Sequence, residues 1–207
     1  MNGRPQLIGT LSYGLARMAT ALPGLHYHRY ALLVVPVVGM PEMPKGYEVR
    51  VASAAEIEGR IDIGADTIAF RMGQGAVPLA AWHGGKLVGV NWLAEDGFDE
   101  DEVRVRWRPP PAYAWDTGLW IAPERRLSRA FAALWAGTAD WLRERCLLGS
   151  ASRIADYNRA SLAPHLRMGG RVLGHVMVVG AGAAQYCASG NNAFTRRRRP
   201  TIDLAHL

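Results

Sequence analysis

PERRLSRAFAALWAGTADWLRERCLLGSASRIADYNRASLAPHLRMG, residues 123–169, is the stretch whose reading decides the fold. Pro123 stops the strong strand pattern Tyr113–Ile121, because proline cannot donate to a strand ladder. Phe131, Leu134, Trp135, Thr138 and Leu142 then recur at i, i+3, i+4 and i+7, which predicts an amphipathic helix over Ser128–Arg145. Ser152–Tyr157 is a short apolar strand. Asn158 or its neighbour caps a helix over Arg159–Met168, and Arg171–Val179 is a further strand. Strand, helix, strand, helix, strand is the α/β alternation of a layered sheet.

Upstream, Tyr27–Val38 is β-branched and apolar and reads as a buried strand. Pro41 and Pro44 mark a linker, and Tyr47–Val51 alternates as a first domain strand. Ser53 followed by Glu56 has capping-box spacing, and Asp62–Met72 is a second short helix. Leu79–Trp82 and Lys86–Leu93 flank His83-Gly84-Gly85, a hairpin signal. Glu95–Glu102 is an acidic loop, and Val103–Trp107 alternates with arginines. The sum is a mixed, mostly antiparallel central sheet flanked by helices in one domain. Residues 1–45 form an N-terminal extension with an extra strand, 46–180 the domain proper, and 181–207 a mobile, Arg-rich tail.

The 207 residues, 49% apolar, suffice for one core. The net charge of +6 includes four arginines at Arg196–Arg199, so the body is only mildly basic and a nucleic-acid partner is not expected. Two distant cysteines, Cys146 and Cys187, make no disulfide framework, and no apolar run is long enough to span a bilayer. A cytoplasmic protein is the simplest reading. His26 and His28 alternate at a strand start with no further ligand type nearby, so no metal site is expected. Trp115 and Trp120 fall on opposite faces of their strand by parity. The acidic run Asp99–Glu102, with Glu95 and Asp96, is either a solvated loop or an attractor of a cationic ligand.

From Pro123 to Gly169 the order resembles, without gaps, the cofactor-binding half of the GNAT-fold N-acyltransferases; the likeness extends weakly back to Tyr47. The resemblance implies an acyl-CoA donor, acetyl-CoA by default, and a small-molecule or peptide amine as acceptor, and it leaves room for a homodimer. It places the pantetheine arm along Leu119, Trp120 and Ile121, and the pyrophosphate at Arg125, Arg126, Leu127, Ser128, Arg129 and Ala130. Asn158, with Ser161 beside it, falls where the family has an asparagine next to pantetheine. His165, seven residues on, stands where the family commonly has a tyrosine that protonates the departing thiolate. Asp116 is the candidate base for the ammonium proton.

The family's loop carries two small residues, Gly and Gly or Ala, so that backbone can approach phosphate. Here the ungapped alignment offers Arg129 and Phe131, and a shift by one offers Ser128 and Ala130. Three cations, Arg125, Arg126 and Arg129, oppose the helix dipole unless an anion sits there. The alternative to an enzyme is a non-catalytic, GNAT-like binding module.

Overall fold

The computed structural model describes residues 4–20, 24–126, 128–182, 184–189 and 199–207, the side chains of residues 4–9 and 20 aside. Eight strands form the main sheet, in the order β10-β9-β1-β8-β7-β4-β3-β2. They are β1 (Leu25–Pro36), β2 (Tyr47–Val51), β3 (Val77–His83), β4 (Lys86–Ala94), β7 (Tyr113–Ile121), β8 (Gly149–Ala155), β9 (Arg171–Ala181) and β10 (Ala184–Ser189). A small second sheet joins β5 (Phe98–Asp99), β6 (Arg106–Arg108) and β11 (Thr201–Asp203). The helices are α1 (Arg4–Thr20), α2 (Ala54–Ile57), α3 (Ala65–Gly73), α4 (Ala130–Glu144) and α5 (Arg159–Arg167). Among the described residues no helix is long and apolar enough to cross a membrane.

In the main sheet only β7 and β8 run parallel. A parallel pair needs a crossover, and α4 supplies it. Its apolar stripe buries Trp135, Ala139 and Leu142 on one face of the sheet with Leu33, Val35, Leu93, Ala114 and Ile154, and Leu134 with Ala81 and Val88. Gly137 lets the helix press onto β2: a Cβ there would stand 2.2 Å from Val49 Cγ1. The other face buries Tyr30, Leu32, Trp92, Trp107 and Trp115, with the Trp107 and Trp115 rings stacked at 5.4 Å. The β3–β4 turn carries Gly84 and Gly85 at φ of 57° and 72°, the left-handed pair a two-residue hairpin turn requires. Glu56 Oε2 accepts from the Ser53 N–H at 2.9 Å, closing the expected capping box.

The buried strand expected over Tyr27–Val38 is present as β1, which lies inside the sheet between β8 and β9, antiparallel to both. Tyr30–Val35 is buried throughout, and a run apolar on both sides finds full cover only in a sheet interior. Residues 181–207 are not simply a mobile tail. β10 pairs with β9, turning Gln185, Cys187 and Ser189 inward, an alternation that the small polar composition hid. β11 pairs with β6, Ile202 and Leu204 are buried, and Arg199 Nη1 meets Asp99 Oδ2 at 2.5 Å. Arg196, Arg197 and Arg198 lie outside the described residues. The alternating stretch Val103–Trp107 is strand only from Arg106, because the Val105 N–H turns back to the Val103 carbonyl at 2.9 Å.

Candidate active site

The site begins where the parallel pair ends. β7 and β8 face each other from Tyr113 and Gly149 to Asp116 and Ser152, and no further. Beyond that point β7 runs on to Ile121 and β8 to Ala155 without pairing to each other, so the strands splay into a slot. The slot opens into a cavity of about 950 Å3 bordered by Thr117–Ile121 from β7 and Ser152–Ala155 from β8. Along this slot β7 has lost its β8 partner, so its N–H and C=O groups there can pair with an extended ligand.

A bulge sets which side chains point where. The β4–β7 register shifts between Trp92 and Leu93, whose partners are Gly118 and Asp116, so Thr117 is an extra residue on β7. Parity inverts across it. Trp115 and Trp120, expected on opposite faces, therefore pack with the same core, opposite α4. Leu119 and Ile121 turn with Ala114 toward the α4 side. Asp116 shares that side, because its cross-strand partner Leu93 packs there.

Asp116 is 5% exposed, and its Oδ1 accepts from the Gly118 N–H at 3.2 Å. Burial pushes its carboxyl up to about 7, against the smaller opposing pull of that hydrogen bond and of Arg71 and Arg153. A carboxyl that is half titrated near neutral pH suits general-base work.

Helix α5 carries the other expected residues. Asn158 Oδ1 accepts from the Ser161 N–H at 3.2 Å, so Asn158 is the helix cap, and both residues line the cavity. His165 lines it too, with its ring edge-on to Phe131 and Trp135 of α4. Its Nδ1 lies 2.6 Å from the Ser161 carbonyl oxygen, a distance at which Nδ1–H donates. Burial lowers its pKa from the usual histidine value, with the Ser161 bond acting weakly the other way. With Nδ1–H committed to backbone, Nε2 is the ring nitrogen left for a ligand.

The loop between β7 and α4 is compact. Pro123–Arg125 makes one 3-10 turn, and α4 starts at Ala130. Ser128 Oγ donates to the Arg125 carbonyl at 2.6 Å and accepts from the Ala130 N–H at 3.2 Å. Ser128 thus ties the turn before α4 to the first helical residue, Arg129 being the N-cap. Of the expected loop residues only Arg126 borders the cavity, joined by Phe131 and Ala132 of the first helical turn. Arg125, Ser128, Arg129 and Ala130 are not among the lining residues, and Leu127 lies outside the described residues.

Several lining residues carried no sequence signal strong enough to single them out. Arg167 follows His165 on α5. On the face opposite α4 the wall is built by His28, Tyr30, Glu102 and Arg153, with Asp62. Arg153 Nε meets Glu100 Oε2 at 2.5 Å, and Trp107 Nε1 donates to the same oxygen at 2.9 Å. Burial works to raise the Glu100 carboxyl, but the Arg153 guanidinium and these hydrogen bonds outweigh it and hold the group below its ordinary value. The hints of this cluster in the sequence were the acidic run Asp99–Glu102, open between a solvated loop and an attractor of a cation, and an arginine inside the strand Gly149–Ala155.

No protein-family model matches the chain, and no curated protein matches it in sequence. Solved structures match its fold. A putative acetyltransferase of the GNAT family from Novosphingobium aromaticivorans is similar with TM-score 0.51 and 14% identity, over 77% of this chain and 68% of that one. A conserved protein of unknown function from Staphylococcus epidermidis is similar with TM-score 0.54 and 12% identity, over 81% and 66%. A Drosophila protein matches with TM-score 0.49 and 16% identity; the chain spans 57% of its length. The fold is therefore that of the GNAT acetyltransferases.

Proposed function

We propose that the protein transfers an acyl group from acyl-CoA to an amine by direct attack, with acetyl-CoA as the default donor. The observation that carries this reading is the slot between β7 and β8 with Asp116 at its vertex. An extended arm fits between splayed strands as an added strand would. On the α4 side Arg126 and Arg167 border the cavity, and guanidinium groups suit phosphate. A bound acyl-CoA would supply the activated thioester.

The roles of this chain's residues follow from their protonation. Asp116, unprotonated above about 7, takes the proton that the attacking ammonium must lose. The neutral amine nitrogen forms the new bond to the acyl carbon and gives up its second N–H proton to the departing sulfur as the carbon–sulfur bond breaks, and Asp116 returns the first proton to solvent. His165 is a positioning residue: it ties the start of α5, through Ser161, to Phe131 and Trp135 of α4. Asn158 fixes the same helix start. Leu119, Trp120 and Ile121 supply the edge along which the donor arm lies.

A free-thiol assay tests the reading. The protein with acetyl-CoA and a panel of primary amines releases thiol in proportion to acylated amine. Thiol release no faster than in buffer, across the panel, overturns it in favour of a binding module.

A further inference from the structure

Charge is sorted across the slot. Arg126 and Arg167 border the cavity on the α4 side. Asp62 and Glu102 border it on the other. Asp62 sits between Ile61 and Ile63, which pack on the core opposite α4, and Glu102 is bonded to Tyr30 and Arg153 of that same wall.

Glu102 is also the unbalanced charge of its cluster. One guanidinium, Arg153, faces two carboxylates. Glu100 is fully buried and takes Arg153 Nε, Trp107 Nε1 and the Asp101 N–H, so the positive charge is already matched there. His28 stands 3.8 Å from Glu102 Oε1, but burial lowers its pKa, so it adds no charge at neutral pH. Glu102 Oε2 is held by the Tyr30 hydroxyl at 2.7 Å and by Arg153 Nη2 at 3.0 Å. Oε1 has no hydrogen bond among the described residues, and the side chain is 46% exposed. One oxygen is fixed, and the other, on a half-exposed side chain, has His28 Nδ1 at 3.8 Å.

The loop is pinned as well. Gln185 bonds both the N–H and the C=O of Arg104, and Arg199 holds Asp99. Rigid support is what a selective contact needs.

We propose that the half of the cavity opposite α4 is a subsite for a second positive charge on the acceptor, and that Glu102 selects linear diamines and longer polyamines over monoamines. This rests on the acyltransfer reading only in assigning the reacting amine to Asp116. Asp116 on β7 and Tyr30 on β1 flank β8, opposite Ser152 and Ala155, so they stand about 10 Å apart along the strands and about 10 Å across them, roughly 14 Å in all at ~3.3 Å per residue and ~4.8 Å per strand. An amine with one charge meets one carboxylate, whereas a diamine of that span meets both.

Calorimetric titration of the protein, with and without saturating CoA, with decamethylenediamine and with decylamine tests this. The diamine is expected to bind about tenfold tighter. Glu102→Gln, which keeps an acceptor for Tyr30, is expected to erase that preference, and Glu102→Asp to keep part of it. Equal affinities in the unaltered protein, or a preference that survives Glu102→Gln, overturns the subsite. A diamine preference without thiol release from acetyl-CoA leaves the subsite standing and removes the acyltransfer reading. Acylation of both amines alike, with equal affinities, does the reverse.

Discussion

Asp116 and Ser152 are the last residues to face each other along the parallel strands β7 and β8, and the cavity opens directly beyond them. That places a buried carboxyl at the vertex of a slot, where desolvation is greatest and a ligand can still arrive.

The position has a cost that can be measured. Burial raises Asp116 from 3.8 to about 7, so the folded chain holds a proton there that the unfolded chain has lost. Stability from this group is therefore full below about 4 and falls as pH rises through about 7, by about 4 kcal/mol at most. Asp116→Asn keeps an acceptor for the Gly118 N–H and cannot ionise. It should raise the melting temperature at pH 8, leave it unchanged near pH 4, and lower kcat by about 10²–10⁴. A variant no more stable than the parent at pH 8 would show that the carboxyl is not desolvated as described.

His165→Phe should lower turnover by less than about tenfold, because the ring's packing on Phe131 and Trp135 is kept and only the Ser161 bond is lost. A fall of about 10²–10⁴ with unchanged donor affinity would give the acid role to His165. Comparing kcat with the donor dissociation constant decides it.

Arg153→Met strips a fully buried Glu100 of its counter-charge. Breaking a buried pair from one side costs about 3–5 kcal/mol, which chemical denaturation at pH 7 would register. The loss should shrink in acid as Glu100 takes a proton. A change below about 1 kcal/mol would mean that water already reaches the pair.

Much of the fold was legible in the chain. The Gly84-Gly85 turn, the Ser53–Glu56 box, the period of α4 and the Asn158 cap each follow from local chemistry, and each is present. What stayed hidden was set by pairing between distant segments. One extra residue, Thr117, reversed the faces of Trp115 and Trp120, and no local pattern announces a bulge. The insertion of β1 between β8 and β9 depends on what those strands leave unpaired. For the site, Asp116, Asn158, Ser161 and His165 were singled out by position and all border the cavity, yet the protonation of His165 depends on Phe131, Trp135 and Ser161 closing around it. Glu102 looked like one charge in a solvated loop until Tyr30 and Arg153 fixed it at the cavity.

The loop between β7 and α4 lacks glycine, and its charge is expected to compensate. Arg126→Ala and Arg167→Ala should each raise the CoA dissociation constant about tenfold at low salt, with a smaller effect at high salt. Identical affinity in parent and variants would remove phosphate binding from both arginines.

The most direct test of the whole account is a calorimetric titration of the unaltered protein with CoA. Entry of the donor between β7 and β8 predicts saturable binding of one CoA per chain. No heat of binding at millimolar CoA would contradict it.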